Sequence, residues 1–397
     1  MQKVGEITEE SNLQGQMPKG FYTCVKNLGI KDETLDFTVI LSSELANAAA
    51  MFTQSRFCGS PIPIGRENVA NGKLQCFVIN SKNANVATGE QGIQNVKEIV
   101  NLVAQELEIA PEDILPSSTG VIGHQLPMDK IRNGIKNLKA DLVVGQLEKS
   151  AVAIMTTDTY PKFKMCKVGD ATLVGIAKGS GMIEPNMATM LSYFVTDAEI
   201  PSDTLQTIFN EAVNKSFNMV SVDADTSTSD TVAIMANGLA GKVDLQQFKE
   251  ALIDMSIGLA KEIARDGEGA TKLVEITVDE ASSFAQAKKI AKSIVNSPLV
   301  KTAIFGKDPN WGRIAMAIGK CEDELDIHPE NVSIYFGDLL IYQGRPLGDE
   351  NLIEIQNYLE NSEIKIRVSL RTGTHEATVW GCDLSYDYVE INGAYTT

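Results

Sequence analysis

Residues 178–191 carry the clearest chemistry in the sequence. A glycine-rich stretch, Lys178-Gly179-Ser180-Gly181, leads through Pro185 to a small residue, Ala188, and then to Thr189, just ahead of the apolar pair Met190-Leu191. Gly179 and Gly181 permit backbone conformations closed to other residues, and Pro185 stiffens the approach. The Ala188–Thr189 peptide can therefore be held strained, with its carbonyl open to the Thr189 hydroxyl. The chemistry this predicts is an acyl shift that breaks the chain and leaves Thr189 as a new N-terminus. An α-amino group titrates near pH ~8, so a free N-terminal threonine carries its own general base. The plainer alternative is a turn entering a buried strand from Met190 to Val195, since Gly and Pro punctuate many turns.

Other routes to a nucleophile are poorly furnished. The three histidines, His124, His328 and His375, lie neither in a nucleophile elbow nor beside an acidic metal-ligand pattern. Six cysteines are scattered without a Cys-x-x-Cys pair, which argues against zinc and redox motifs and for buried reduced thiols. Asp225 and Asp230 invite a metal ion, but the Gly-centred calcium-loop spacing is absent and such oxygen-rich strings also cap turns, so no metal is expected. The clusters 223–231 and 308–313 are read as structural or supporting. With 35 Lys plus Arg against 52 Asp plus Glu, the formal charge is −17, which repels nucleic acid and anionic membranes. The first ten residues have no basic or apolar leader pattern, and no stretch approaches the roughly 18 uninterrupted apolar residues of a membrane span. A soluble cytoplasmic protein is expected.

The loop does not stand alone. Ser118-Thr119-Gly120-Val121-Ile122-Gly123, Thr156-Thr157-Asp158-Thr159, Asp225-Thr226-Ser227-Thr228-Ser229-Asp230-Thr231, Asp266-Gly267-Glu268-Gly269-Ala270 and Asp308-Pro309-Asn310-Trp311-Gly312-Arg313 follow in order. Together with the 178–191 loop, they resemble the motifs of the ornithine acetyltransferases, arginine-biosynthesis enzymes of the N-terminal-nucleophile type. The resemblance implies an α-β-β-α sandwich followed by a smaller α/β domain, within a mixed α/β (α+β) class. It implies autoproteolysis between Ala188 and Thr189, then ping-pong acetyl transfer from N-acetylornithine to glutamate through acetyl-Thr189, with acetyl-CoA as a further donor the family pattern allows. Thr119 and Gly120 correspond to the oxyanion hole, where a rotatable hydroxyl and a closely approaching backbone N–H suit the chemistry. Thr156, Lys178, Thr189, Glu268, Asn392 and the terminal Thr397 correspond to substrate contacts, Lys178 suiting a carboxylate and Glu268 an amine. No metal or organic cofactor is implied, and the expected assembly is an α2β2 heterotetramer of the two fragments. The rival enzyme reading is an N-terminal-nucleophile amidohydrolase or aminopeptidase that hands the acyl group to water. An uncleaved amino-acid-binding protein is the rival from another class.

The elements that must position these residues are legible in part. Residues 37–41 and 48–52 read as strand, as do 74–79. Ile93, Val96, Ile99, Val100, Val103 and Leu107 fall at helical spacing, and similar stripes run over 205–217 and 245–263. After Asp266 the texture changes to a strand at 273–278, a helix at 284–294, a strand at 300–305, a hairpin turning at Gly337-Asp338, and alternating runs at 364–370 and 377–384. These place a domain boundary near residue 285, dividing a core of 1–285, split into an α fragment to 188 and a β fragment from 189, from a smaller domain of 286–397.

Overall fold

Short apolar runs on the two faces of successive strands decide the architecture. The computed structural model describes residues 17–184, 190–348 and 351–394. Among these, nine strands form one sheet: β1 (Phe21–Lys26), β2 (Phe37–Phe52), β3 (Lys73–Asn80), β4 (Ile114–Ser118), β5 (Val143–Val144), β6 (Lys162–Val168), β7 (Ala171–Lys178), β8 (Leu191–Glu199) and β9 (Thr231–Lys242). The main path runs β4-β3-β2-β9-β8-β7-β6, with β1 against β2 and β5 against β1.

The 16-residue strand β2 folds this sheet into two layers. One of its edges pairs with β1 over Phe37 to Ser42 and with β9 over Asn47 to Phe52, so the strand passes from one layer into the other. Its pairing with β3 shifts register between Leu41 and Ala46, where the bend must be absorbed. Three hydrophobic clusters then fill three spaces. Val39, Cys76 and Val78 meet Val96, Val100 and Val103 of the helix Gly89–Leu107. Ile40, Phe77 and Ile79 meet Val174, Tyr193, Val195 and Met235 between the layers, with the Phe77 and Tyr193 rings 5.1 Å apart. Leu173, Phe194 and Ile234 meet Phe209 of the helix Ser202–Lys215 and Leu252 and Leu259 of the helix Leu245–Arg265. Residues of β7, β8 and β9 alternate between the second and third clusters, as period-two side chains on a doubly covered sheet must. Helix, sheet, sheet and helix are stacked in the expected α-β-β-α order. Each large apolar side chain buried there contributes about 1.5–3 kcal/mol.

The second sheet comprises β10 (Leu273–Ala281), β11 (Ser333–Phe336), β12 (Leu339–Gln343), β13 (Glu363–Ser369) and β14 (His375–Cys382), in the order β12-β11-β13-β10-β14. β10 pairs parallel with β13 and antiparallel with β14. The chain thus enters this sheet at Leu273, upstream of the boundary expected near residue 285, which would divide β10 from its partners. The run expected as a strand at 300–305 is instead the end of the helix Pro298–Phe305. Ser297 caps it by accepting a bond from Val300 N, Pro298 starts it, and Val300, Ala303 and Ile304 bury one face. A short apolar segment does not distinguish strand from helix by pattern alone. No helix among the described residues is long and apolar enough to cross a membrane.

Candidate active site

β7 ends at Lys178 beside the start of its antiparallel neighbour β8, the pairing Lys178↔Leu191 closing the loop that carries the expected break. The parallel partner of β8 is β9, and Thr231 N donates to Met190 O at 3.0 Å. These adjacent strand ends open on a cavity of about 300 Å³. Thr119, Gly120, Thr156, Lys178, Glu268 and Asn392 all line it, together with Met190. Six expected site residues spread over more than two-thirds of the chain are thus brought to one place. Ala188, Thr189 and Thr397 lie outside the described residues.

Each wall has a local cause. Thr119 N donates to Asn80 O at 3.0 Å, and Asn80 is in turn held by Ser118 Oγ at 2.6 Å and donates to Asn83 O at 2.8 Å. Gly120 has φ +128°, and a Cβ there would stand 2.2 Å from the Lys82 carbonyl carbon, so only glycine lets this backbone approach so closely. Directly alongside runs the 83–89 loop, bridged to Thr119 and Val121 at Asn83, with Asn85 and Ala87 held at φ 50° and 58°. Such values in non-glycine residues mark a backbone over-determined by its surroundings.

Glu268 is half-buried against Gly181, where a Cβ would fall 2.3 Å from its carboxyl carbon. Glycine at 181 therefore lets the carboxylate lie flat on the 178–184 backbone. Asn392 Nδ2 donates to Glu268 Oε2 at 2.9 Å. The C-terminal helix Tyr386–Ala394 reaches the site because its start is tied down: Ser385 Oγ donates to Gly269 O at 2.5 Å, and Asp383 accepts from Thr271 N at 2.8 Å and Lys272 N at 3.0 Å.

Several contributors escaped the sequence reading. Lys162, fully buried, bridges Asp158 Oδ1 at 2.7 Å and Asp266 Oδ2 at 2.6 Å. Asp158 also accepts from Gly179 N at 2.7 Å and Thr156 N at 3.1 Å, and Asp266 from Thr159 N. Three loops that bear site residues are thereby pinned to one cation. Burial raises the Asp158 carboxyl, but the Lys162 and Lys178 cations and the bonds from Lys162 and Gly179 outweigh it, leaving Asp158 below its ordinary value. Lys162 opens a strand in which lysines alternate with apolar residues, a pattern that reads as solvent-facing.

The 223–231 cluster, expected to be structural or supporting, does both that and more. Asp223 accepts from Met182 N at 2.7 Å and Ile183 N at 2.8 Å, and Thr226 Oγ1 donates to Glu184 O at 3.0 Å, holding the chain just before the expected break. Ser227, Thr228, Ser229 and Asp230 themselves line the cavity. In the sequence they stand in an oxygen-rich string before an apolar strand, one of the motifs that carry the family resemblance. The 308–313 motif lines no part of this cavity: Asn310 caps the helix Trp311–Gly319 by accepting from Arg313 N at 3.3 Å, and Arg313 Nη1 donates to Leu299 O at 2.6 Å. Among the described residues no group of acidic, histidine and cysteine side chains is placed to hold a metal ion.

The ArgJ family model matches residues 23–397. An arginine biosynthesis bifunctional protein, ArgJ 2, of Clostridium acetobutylicum is 54% identical over 381 residues, covering 96% of this chain and 98% of its own. The glutamate N-acetyltransferase Oat2 of Streptomyces clavuligerus is 46% identical, covering 98% of this chain and 100% of its own. Among solved structures, the arginine biosynthesis bifunctional protein argJ of Bacillus halodurans is 43% identical with a TM-score of 0.48, covering 50% of this chain and 96% of that one. With a family match over nearly its whole length and relatives this similar end to end, the chain belongs to the ArgJ family.

Proposed function

We propose that this protein is an acyltransferase that moves the acetyl group of N-acetylornithine to glutamate. The observation that carries the reading is one cavity walled by an oxyanion-type pair, Thr119 and Gly120, a cation, Lys178, and an anion, Glu268, with Met190 at its edge. The chain breaks between Ala188 and Thr189, and the Thr189 amine takes the proton of its own hydroxyl as that hydroxyl attacks the acetyl carbon. The Thr119 hydroxyl and Gly120 N–H donate to the tetrahedral oxyanion. Collapse returns the proton to the leaving amine of ornithine, and glutamate then attacks the acetyl-threonine ester by the reverse path. Lys178 meets the substrate carboxylate, Glu268 with Asn392 the distal amine, and Thr156 and Thr397 the rest of the amino acid. An amide is exchanged for an amide, so no external energy source is required. The same reading includes an α2β2 assembly and a cytoplasmic site of action; a donor screen decides whether acetyl-CoA also serves.

Denaturing electrophoresis with N-terminal sequencing of both fragments tests the break. Two fragments, the second starting at Thr189, are expected, and Thr189→Ala should give a single inactive chain. A second fragment starting elsewhere ends the mechanism, and release of acetate at an unchanged rate whether or not glutamate is present would favour the hydrolase reading.

A further inference from the structure

Met182 is set apart in the cavity wall because the fold leaves it uncovered and holds it in a costly conformation. It is 43% exposed, whereas Ile183 and Met190, apolar residues of the same cavity, are 1% and 2% exposed. Its φ of +57° lies in the left-handed region, which a long side chain enters only when its surroundings impose it. The imposing group is Asp223, which accepts from Met182 N and Ile183 N, while Ile183 O accepts from Val222 N at 2.8 Å. Glycine would take this turn without strain, and the bonds to Asp223 need no side chain at 182. The reason for a thioether here therefore lies in the cavity.

Resting on the acyl-transfer reading above, we infer that Met182 is a specificity-determining residue that covers the methylene stem of the bound amino acid and so sets its length. The charged ends of that ligand are assigned to Lys178 and Glu268. Met182 follows directly on the backbone against which Glu268 lies: Glu268 N donates to Ser180 O at 3.0 Å, and a Cβ on Gly181 would fall 2.3 Å from the Glu268 carboxyl carbon. Between its charged ends ornithine carries three methylenes, which gain from an apolar cover that water does not supply.

Methionine suits a place that two stems occupy in turn. Ornithine leaves, and glutamate, one methylene shorter and ending in a carboxylate, takes over its position. An unbranched side chain with a polarizable sulfur re-packs on either stem, where a branched one fits a single shape. The rest of the apolar wall has less freedom. Ile183 and Met190 belong to the core cluster that contains Ile263, and Val121 and Ile122 stand on the segment of Gly120, not on the one that backs Glu268.

The test follows acetylation of the fragment from Thr189 by mass spectrometry, with the Nα-acetyl derivatives of 2,4-diaminobutyrate, ornithine and lysine as donors of two, three and four methylenes. Met182→Ala opens space beside the stem, so the preference for the ornithine over the lysine donor, in kcat/KM, should fall by about 10-fold or more, carried by KM, as one methylene in an apolar pocket allows. Met182→Phe should move the preference the other way, towards the two-methylene donor. Both variants should take acetyl from p-nitrophenyl acetate, which has no stem, within about 3-fold of the native rate. A length profile unchanged in either split variant, or equal losses on all three amides and the ester, would overturn the proposal by reducing Met182 to a structural residue. If one variant stays a single chain the other decides, and if neither splits, Met182 positions the break instead and the proposal falls. A native protein acetylated by the ester but by none of the amides sinks the substrate reading and this inference with it, whereas a native preference for ornithine that the variants keep sinks this inference alone.

Discussion

Two clusters of buried charge stand on neighbouring strands, one at Lys162 where β6 begins and one at Lys178 where β7 ends, and they differ in how many of their hydrogen bonds are completed. Around Lys162 both carboxylates are fully engaged, with the ammonium, Gly179 N–H and Thr156 N–H on Asp158 and the ammonium and Thr159 on Asp266. Among the described residues around Lys178, Asp230 keeps an unpartnered oxygen and Glu268 receives one side-chain bond, from Asn392. A completed cluster has one low-energy arrangement and behaves as scaffold. An incomplete one keeps donors and acceptors for whatever enters the cavity. The two are joined through Gly179, whose N–H donates to Asp158, so the scaffold sets the backbone next to Lys178.

The largest expected effect follows from breaking the completed cluster. Lys162→Met leaves two buried carboxylates without their shared cation, and removing one partner of a buried pair costs about 3–5 kcal/mol. Asp230→Asn, which removes a charge already short of partners, should cost far less. Urea unfolding of the two variants checks the contrast; equal losses would show that hydrogen-bond completion does not separate scaffold from reactive site.

An intermediate effect is expected at Glu268. Glu268→Gln should leave the chain able to split but lower kcat/KM for N-acetylornithine by about 1.5–3 kcal/mol, the range for a hydrogen bond to a charged group. An N-acetylated amino acid with an uncharged side chain should lose much less. Similar losses for both substrates would show that Glu268 does not read the amine.

The smallest effect sharpens the comparison with a third pair, on the far side of the same loop. Lys292 lies 3.1 Å from Glu184 and donates to Val220 O at 2.5 Å, and burial lowers its ammonium to about 8, with Glu184 opposing and Lys288 assisting. The folded protein sheds this proton before the unfolded chain does, whose lysine titrates near ~10.4. Between these values the unfolded state binds more protons, so this group makes stability rise as pH rises through the window. The thermal midpoint of the native protein relative to Lys292→Met should therefore increase from pH 8 to pH 10; a flat difference would place Lys292 among ordinary surface lysines.

Part of the cavity lining was legible because its signals are local. The Thr119-Gly120 pair and the Gly-flanked Glu268, which line one cavity, each carry their signal within a few residues, and the helices over 89–107 and 245–265 declare themselves by spacing. Asp230 was visible in the sequence with Asp225 as a carboxylate that invites a metal ion, not as a buried wall of this cavity. Lys162 was disguised by its strand, since alternation states that a side chain changes face and not what covers that face. The 298–305 helix was misread for the related reason that a short apolar run states burial without its geometry.

By itself the sequence determined the reactive residue types, their order and the face each amphipathic helix would bury, because these depend on side-chain chemistry and on neighbours within a turn or two. Tertiary structure decided the rest. It decided that β2 bends through two layers, that β10 joins the second sheet, and that residues as far apart as Thr119 and Asn392 share one cavity. It also decided which buried charges are completed: Lys162 meets Asp266 across 104 residues of chain. Whether an ion is scaffold or reagent is set by the donors packing brings to it, and no local stretch of sequence contains that number.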